Sequence, residues 1–184
     1  MVKTLKELVD CYKNNLLKTP NIQVIEKNFS NEIITFPENK FADLTFCNST
    51  FRNSRLTNIK FVNGTFESSY FEGCLLENCV FENTNLNSIE CENCDLKNCL
   101  MINSSLNEGD FTEVIFDKCR FEKGSLGASL FESCNFIETS FQNTQFGSAV
   151  IINSKFSNSK KSIKLNGDFY LIDTAQSINK ILLE

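Results

Sequence analysis

The chain contains no histidine and no tryptophan, and only seven glycines in 184 residues. Without histidine, the commonest general base and metal ligand is missing. So few glycines leave no glycine-rich phosphate loop. No apolar run approaches the roughly 18 residues that a membrane-spanning helix needs. The opening residues, Met1 to Glu7, are charged and include no apolar signal region. No stripe of basic residues is present, so nucleic acid is not an expected ligand. These absences direct attention to pattern rather than to any single reactive group.

The pattern is a strict period of five. From Phe36 to Phe156 every fifth residue is apolar, and these 25 positions hold 16 of the 18 phenylalanines. Neither an α-helix nor a flat strand places an unbroken five-residue repeat on one face. A short fixed period means a solenoid of like units stacked on each other. The residue two before each anchor is mostly small: Ser49, Ser54, Ser69, Cys74, Cys79, Cys94 and Ser104 are examples. A small residue beside a large one fills a narrow core without voids. The residue two after each anchor is often Asn, as at Asn48, Asn78 and Asn143. Asn accepts tight-turn geometry, so each unit reads as inward small residue, outward residue, inward anchor and two corner residues.

Units such as Cys74-Leu75-Leu76-Glu77-Asn78, Cys94-Asp95-Leu96-Lys97-Asn98 and Cys134-Asn135-Phe136-Ile137-Glu138 carry a resemblance. The array resembles the pentapeptide-repeat family over about two-thirds of the chain. The resemblance implies an all-β solenoid, a right-handed quadrilateral parallel β-helix with four pentapeptides per coil. It also implies that some relatives, the bacterial quinolone-resistance proteins among them, act as DNA mimics that bind type II topoisomerase. In some relatives a C-terminal segment joins two rods. This chain departs from the Ala-rich consensus by using Ser and Cys at the small position.

The expected organisation is an N-terminal helix and lead-in over 1–33, the β-helix over 34–158, and a C-terminal capping or dimerisation segment over 159–184. Leu5, Leu8, Val9, Tyr12, Leu16 and Leu17 have helical spacing, ending near Pro20. Residues 21–33 lose the register and read as a lead-in strand. Asp173 with Gln176 three residues later predicts a second helix start. Both ends serve to cover the open edges of a solenoid.

Nine cysteines, an odd count, fit a reducing cytoplasm better than a secreted disulfide scaffold. Spacing by twenty stacks Cys79, Cys99 and Cys119 in one column and Cys74 with Cys94 in another. Zinc needs four ligands converging on one point, whereas a ladder of thiols gives a line. The cysteines therefore read as small core residues, with no metal and no cofactor. A rod filled by phenylalanine offers no cleft of convergent polar groups, so no catalytic residues are expected.

Folding the repeat into four faces makes the charge uneven. The face with anchors Phe51, Phe71, Cys91, Phe111, Phe131 and Ile151 carries Glu72, Glu90, Glu92, Asp110, Glu113 and Glu132 against Arg52 alone. The other faces carry little net charge. The six acids are the candidate site for a basic protein partner. The sequence thus predicts a cytoplasmic, non-catalytic interaction scaffold, with a gyrase-binding DNA mimic as the alternative. Outward Leu75, Val80, Leu100, Ile102 and Ile115 form a second candidate interface.

Overall fold

The computed structural model describes the backbone of residues 22–23, 28–30, 33–42, 44–157 and 169–172, and the side chains of 46–157 and Tyr170. One representative coil has three-residue strands at Tyr70–Glu72, Leu75–Glu77 and Val80–Glu82. Its fourth side is held by a single bridge residue, Asn85. In each strand the central residue is the buried anchor, and its neighbours face outward. Pairing is parallel and in register one coil along, with Cys91 opposite both Phe71 and Phe111.

The first face is a sheet of eight strands. The second and third faces merge into one sheet of eleven, because Arg55–Val62 runs as a single strand around their shared corner. The fourth face is a line of bridges from Thr65 through Asn85, Ser105 and Ser125 to Gln145. The fold is thus the expected four-sided, all-β parallel solenoid. Only strands and turns occur among the described residues. The helices expected over 4–18 and after Asp173 lie outside them.

The anchors fill the axis. Phe46, Phe51, Phe66, Phe111, Phe116 and Phe131 are among the fully buried side chains. Rings stack along each column: Phe51 on Phe71 at 4.5 Å, Phe116 on Phe136 at 4.9 Å, and Phe136 on Phe156 at 4.5 Å. Edge contacts join neighbouring columns, as between Phe131 and Phe136 at 5.6 Å. Such pairs add to plain area burial.

The small position has a second duty. Its hydroxyl or thiol donates to an anchor carbonyl of the preceding coil: Ser104 to Phe81 at 3.0 Å, Thr139 to Phe116 at 2.8 Å and Cys119 to Leu96 at 3.2 Å. Alanine could fill the space but could not make this bond. The substitution of Ser, Thr and Cys for Ala therefore ties successive coils together. Cys79, Cys99 and Cys119 do form a line along one column, each donating its own bond to a carbonyl.

The corners adopt left-handed backbone. Asn48, Asn53, Asn78, Asn98 and Asn143 lie at φ between 49° and 54°, as their type favours. The Asn side chains also form ladders: Asn78 donates to Asn58 at 3.1 Å and Asn103 to Asn83 at 3.3 Å. The same backbone recurs at Glu113, Lys118, Lys123 and Glu138, which have no such preference. The fold imposes the corner whatever residue occupies it.

Two register details differ from the sequence expectation. Phe36 was expected one coil before Leu56, but Ile34 takes that place. The register changes by two residues between Thr35 and Asn39, around Pro37, whose missing N–H cannot serve a ladder. Before this point the five-residue phase continues, shifted, with Phe29 opposite Phe51. The described strands here are Ile22–Gln23, Asn28–Ser30 and Ile33–Ala42. At the other end the phase was expected to stop at Lys161, yet Phe169–Ile172 pairs with Ala149–Ile152, placing Leu171 opposite Ile151.

Two consequences are measurable by thermal or denaturant unfolding. Phe136→Ala, losing ring neighbours on both sides, should cost about 3–5 kcal/mol. Phe156→Ala, at 8% exposure and stacked on Phe136, should cost clearly less. Equal losses would contradict stacking as the source of stability. Lys118→Asn and Glu138→Asn, at φ of 54° and 49° in the Asn58 column, should each stabilise by roughly 0.5–1 kcal/mol.

Candidate functional site

On the first face, outward residues form two rows set by strand register. One runs Tyr70, Glu90, Asp110, Leu130, Val150 and Tyr170. The other runs Arg52, Glu72, Glu92, Thr112, Glu132 and Ile152. Register therefore brings four of the six predicted acids together: Glu90 beside Asp110, and Glu72 beside Glu92. Glu132 stands apart, beyond Thr112. Glu113 leaves the face altogether, exposed at a corner with φ of 55°.

Adjacent strands lie about 4.8 Å apart, and like charges directly opposite each other destabilise a sheet. The face relieves this only in part. Arg52 bonds Glu72 at 2.6 Å, and its guanidinium sits 5.6 Å over the Tyr70 ring. The Tyr70 hydroxyl donates to Glu92 at 2.6 Å, and Thr112 donates to Asp110 at 3.3 Å. Among the described residues, Glu90, Glu113 and Glu132 have no ion pair.

Charge on the neighbouring faces is handled differently. Arg55 pairs with Glu77 at 3.2 Å and Lys97 with Asp95 at 3.3 Å on the second face. Lys60 pairs with Glu82, and Arg120 with Glu122, on the third. The fourth face presents uncharged Thr65, Asn85, Ser105, Ser125 and Gln145 along its bridge line. Among the described residues, acids paired with acids in strand register therefore occur only on the first face. There Tyr70, Glu90, Glu92, Asp110, Thr112 and the Cys91 strand position line a shallow depression of about 250 Å³.

Cys91 and Cys134 are held as thiols. Burial pushes Cys134 up to about 12 and Cys91 higher still, which opposes thiolate chemistry at either. No cluster of three or more His, Cys, Asp or Glu able to hold a metal occurs among the described residues. No helix among them is long and apolar enough to cross a membrane.

The five-residue register, buried anchors and polar corners coincide with a family match: the pentapeptide-repeat model, of eight copies, fits residues 66–101. The chain is a pentapeptide-repeat protein. A second model, the SV2A/B/C luminal domain, matches residues 100–161 of this pentapeptide-repeat chain. Among curated proteins none matches it. Similar solved structures include trypsin-treated QnrB1, a plasmid-mediated fluoroquinolone resistance protein, at 14% identity and TM-score 0.32, covering 82% of this chain and 91% of that one. HetL, involved in heterocyst differentiation regulation in the cyanobacterium Nostoc sp. strain PCC 7120, is 12% identical, with TM-score 0.35 and 93% of each chain covered. Rfr23 from the cyanobacterium Cyanothece 51142 is 13% identical, with TM-score 0.32, covering 80% of this chain and 97% of that one.

Sequence reasoning missed Tyr70 as part of the acidic face. Its signal was present: it occupies the outward position one coil before Glu90. Its hydrogen bond to Glu92, with burial second, raises its pKa to about 12 from an ordinary 10. A raised pKa means the folded state holds the proton more tightly. The associated stability is therefore complete below pH 10 and disappears as pH rises through 12. Phenolate absorbance, with Tyr70→Phe as the difference reference, should show this midpoint near 12. Glu92→Gln should bring it back toward 10.

Proposed function

We propose that this pentapeptide-repeat protein is a non-catalytic interaction rod whose first face docks a basic protein partner. The observation that supports this most is the contrast between faces. On the second and third faces Glu77, Asp95, Glu82 and Glu122 each pair with a base, whereas Glu90 is stacked against Asp110 with no ion pair of its own. A surface that served solubility alone would gain nothing from stacking like charges in register. A basic partner would relieve the repulsion and be steered over about 8–10 Å, the Debye length at physiological salt.

The non-catalytic reading is supported by geometry. The rod's interior is filled by rings, and its polar side chains diverge outward rather than converge. The cytoplasm is the matching compartment for eight described cysteines that are all unpaired. We retain residues 159–184 as a capping or dimerisation segment. Tyr170, 59% exposed at the end of the outward row, supports a contact there.

A narrower reading makes the partner the DNA-binding saddle of a type II topoisomerase, so that the protein protects gyrase from quinolones or gyrase-directed toxins. A supercoiling assay separates the two. Protection by the wild type at micromolar concentration, abolished by Glu90→Lys, Glu92→Lys and Asp110→Lys together, supports the narrower reading. No effect on gyrase or its paralogue removes it. The broader reading then stands on salt-sensitive binding of a lysine-rich protein that the same triple variant loses at unchanged Tm. Binding unaffected by the charge reversal would contradict it.

A further inference from the structure

One coil of the rod has no phenylalanine. Residues 84–103 present Leu86, Cys91, Leu96 and Met101 as anchors, all buried. The aromatic columns break there. Phe51 stacks on Phe71 at 4.5 Å, and stacking in that column resumes only with Phe111 on Phe131 at 4.7 Å. In the third-face column, Phe61 meets Phe81 at 5.1 Å and Phe121 meets Phe141 at 4.8 Å, with Met101 between. Around Cys91 the sizes of anchor and small residue are exchanged, for Ile89 occupies the small position. Isoleucine restores part of the lost volume but not all of it.

What remains is an internal cavity of about 30 Å³, with Phe71, Phe81, Ile89, Cys91, Met101 and Leu106 among its walls. Every lining side chain is apolar or a thiol. The Cys94 thiol already donates to the carbonyls of Phe71 and Glu92. The volume is about twice what one water requires, but a water also needs two to four polar partners. Cavities of this character stay dry and accept apolar guests.

We propose that this phenylalanine-free coil is a binding cavity for a very small, uncharged, apolar guest, such as a dissolved gas of one or two heavy atoms. Entry is through the first face. Cys91 lines both the cavity and the surface depression above it, and at 7% exposure it is more open than Phe51, Phe71, Phe111 and Phe131 in the same column. The Glu90–Glu92 strand that carries it is three residues long and flanked by stacked like charges, Glu90 with Asp110 and Glu72 with Glu92. That strand is the least favourably held part of the wall. The proposal is independent of the docking role of the acids.

Xenon is the probe. Methyl NMR spectra under increasing xenon pressure should show saturable shifts at Leu86, Leu96, Ile89 and Met101. Leu126 and Ile151, which do not line the cavity, should stay unmoved. Cys91→Leu should fill the space, abolish the shifts and raise Tm. Met101→Phe provides a second filled variant should the first fail to fold. Absence of saturable shifts in the wild type, shifts of equal size at Leu126 and Ile151, or shifts that persist in a folded, filled variant would overturn the proposal.

Discussion

The structure depends on closing each coil in twenty residues. Only then does a backbone amide meet a carbonyl of an adjacent coil, as the Asn93 amide meets Thr112 in the next coil at 3.0 Å and the Tyr70 amide meets Ser49 in the preceding one at 2.9 Å. Buried backbone groups must be paired, and in a parallel solenoid the neighbouring coil supplies most of the partners. Everything else follows from that closure. Four sides of five residues put one anchor inward per side. Four corners force left-handed backbone at one residue in five. Constant register then stacks identical positions into columns, so that rings meet rings and carboxylates meet carboxylates.

Column stacking explains both the strength and the weakness of this rod. Inside, it aligns Phe111 with Phe131 and Phe116 with Phe136, a favourable arrangement. Outside, it aligns Glu90 with Asp110, an unfavourable one. A solenoid cannot separate these effects, because one register sets both. The outward acids therefore persist at a cost that Glu77, Glu82, Asp95 and Glu122 on other faces avoid by pairing with Arg or Lys. The same logic applies at Cys91, where a small anchor interrupts an aromatic column and its effects reach two coils, through Phe71 and Phe111.

Much of this was legible in the sequence because the period is strict. Anchors from Phe46 to Phe156 all fall where the five-residue count puts them. Asn at the corners signalled positive φ, and the small row signalled tight packing. The corner state of Glu113, Lys118 and Glu138 carried no residue signal, since geometry rather than preference imposes it. That is why Glu113 was counted with the face and proves to sit beside it. The phase before Pro37 was hidden by a two-residue offset, so Ile34 rather than Phe36 lies opposite Leu56. The return of the register at Leu171 was hidden by the polar residues at Lys161 and Asn166. The Tyr70–Glu92 bond and the cavity under Cys91 depend on side-chain reach and volume, which spacing alone does not encode.

The central claim is that one coil of twenty residues is the unit of the fold. Unfolding curves of two internal deletions test it directly. Removing residues 84–103 takes out one whole coil, joins Asn83 to Ser104 and places Phe71 one coil before Phe111. Removing 84–101 leaves two extra residues, which shifts every later anchor off its column. The account predicts cooperative β-sheet unfolding for the first deletion and loss of the cooperative transition for the second. Equal behaviour of the two would contradict it.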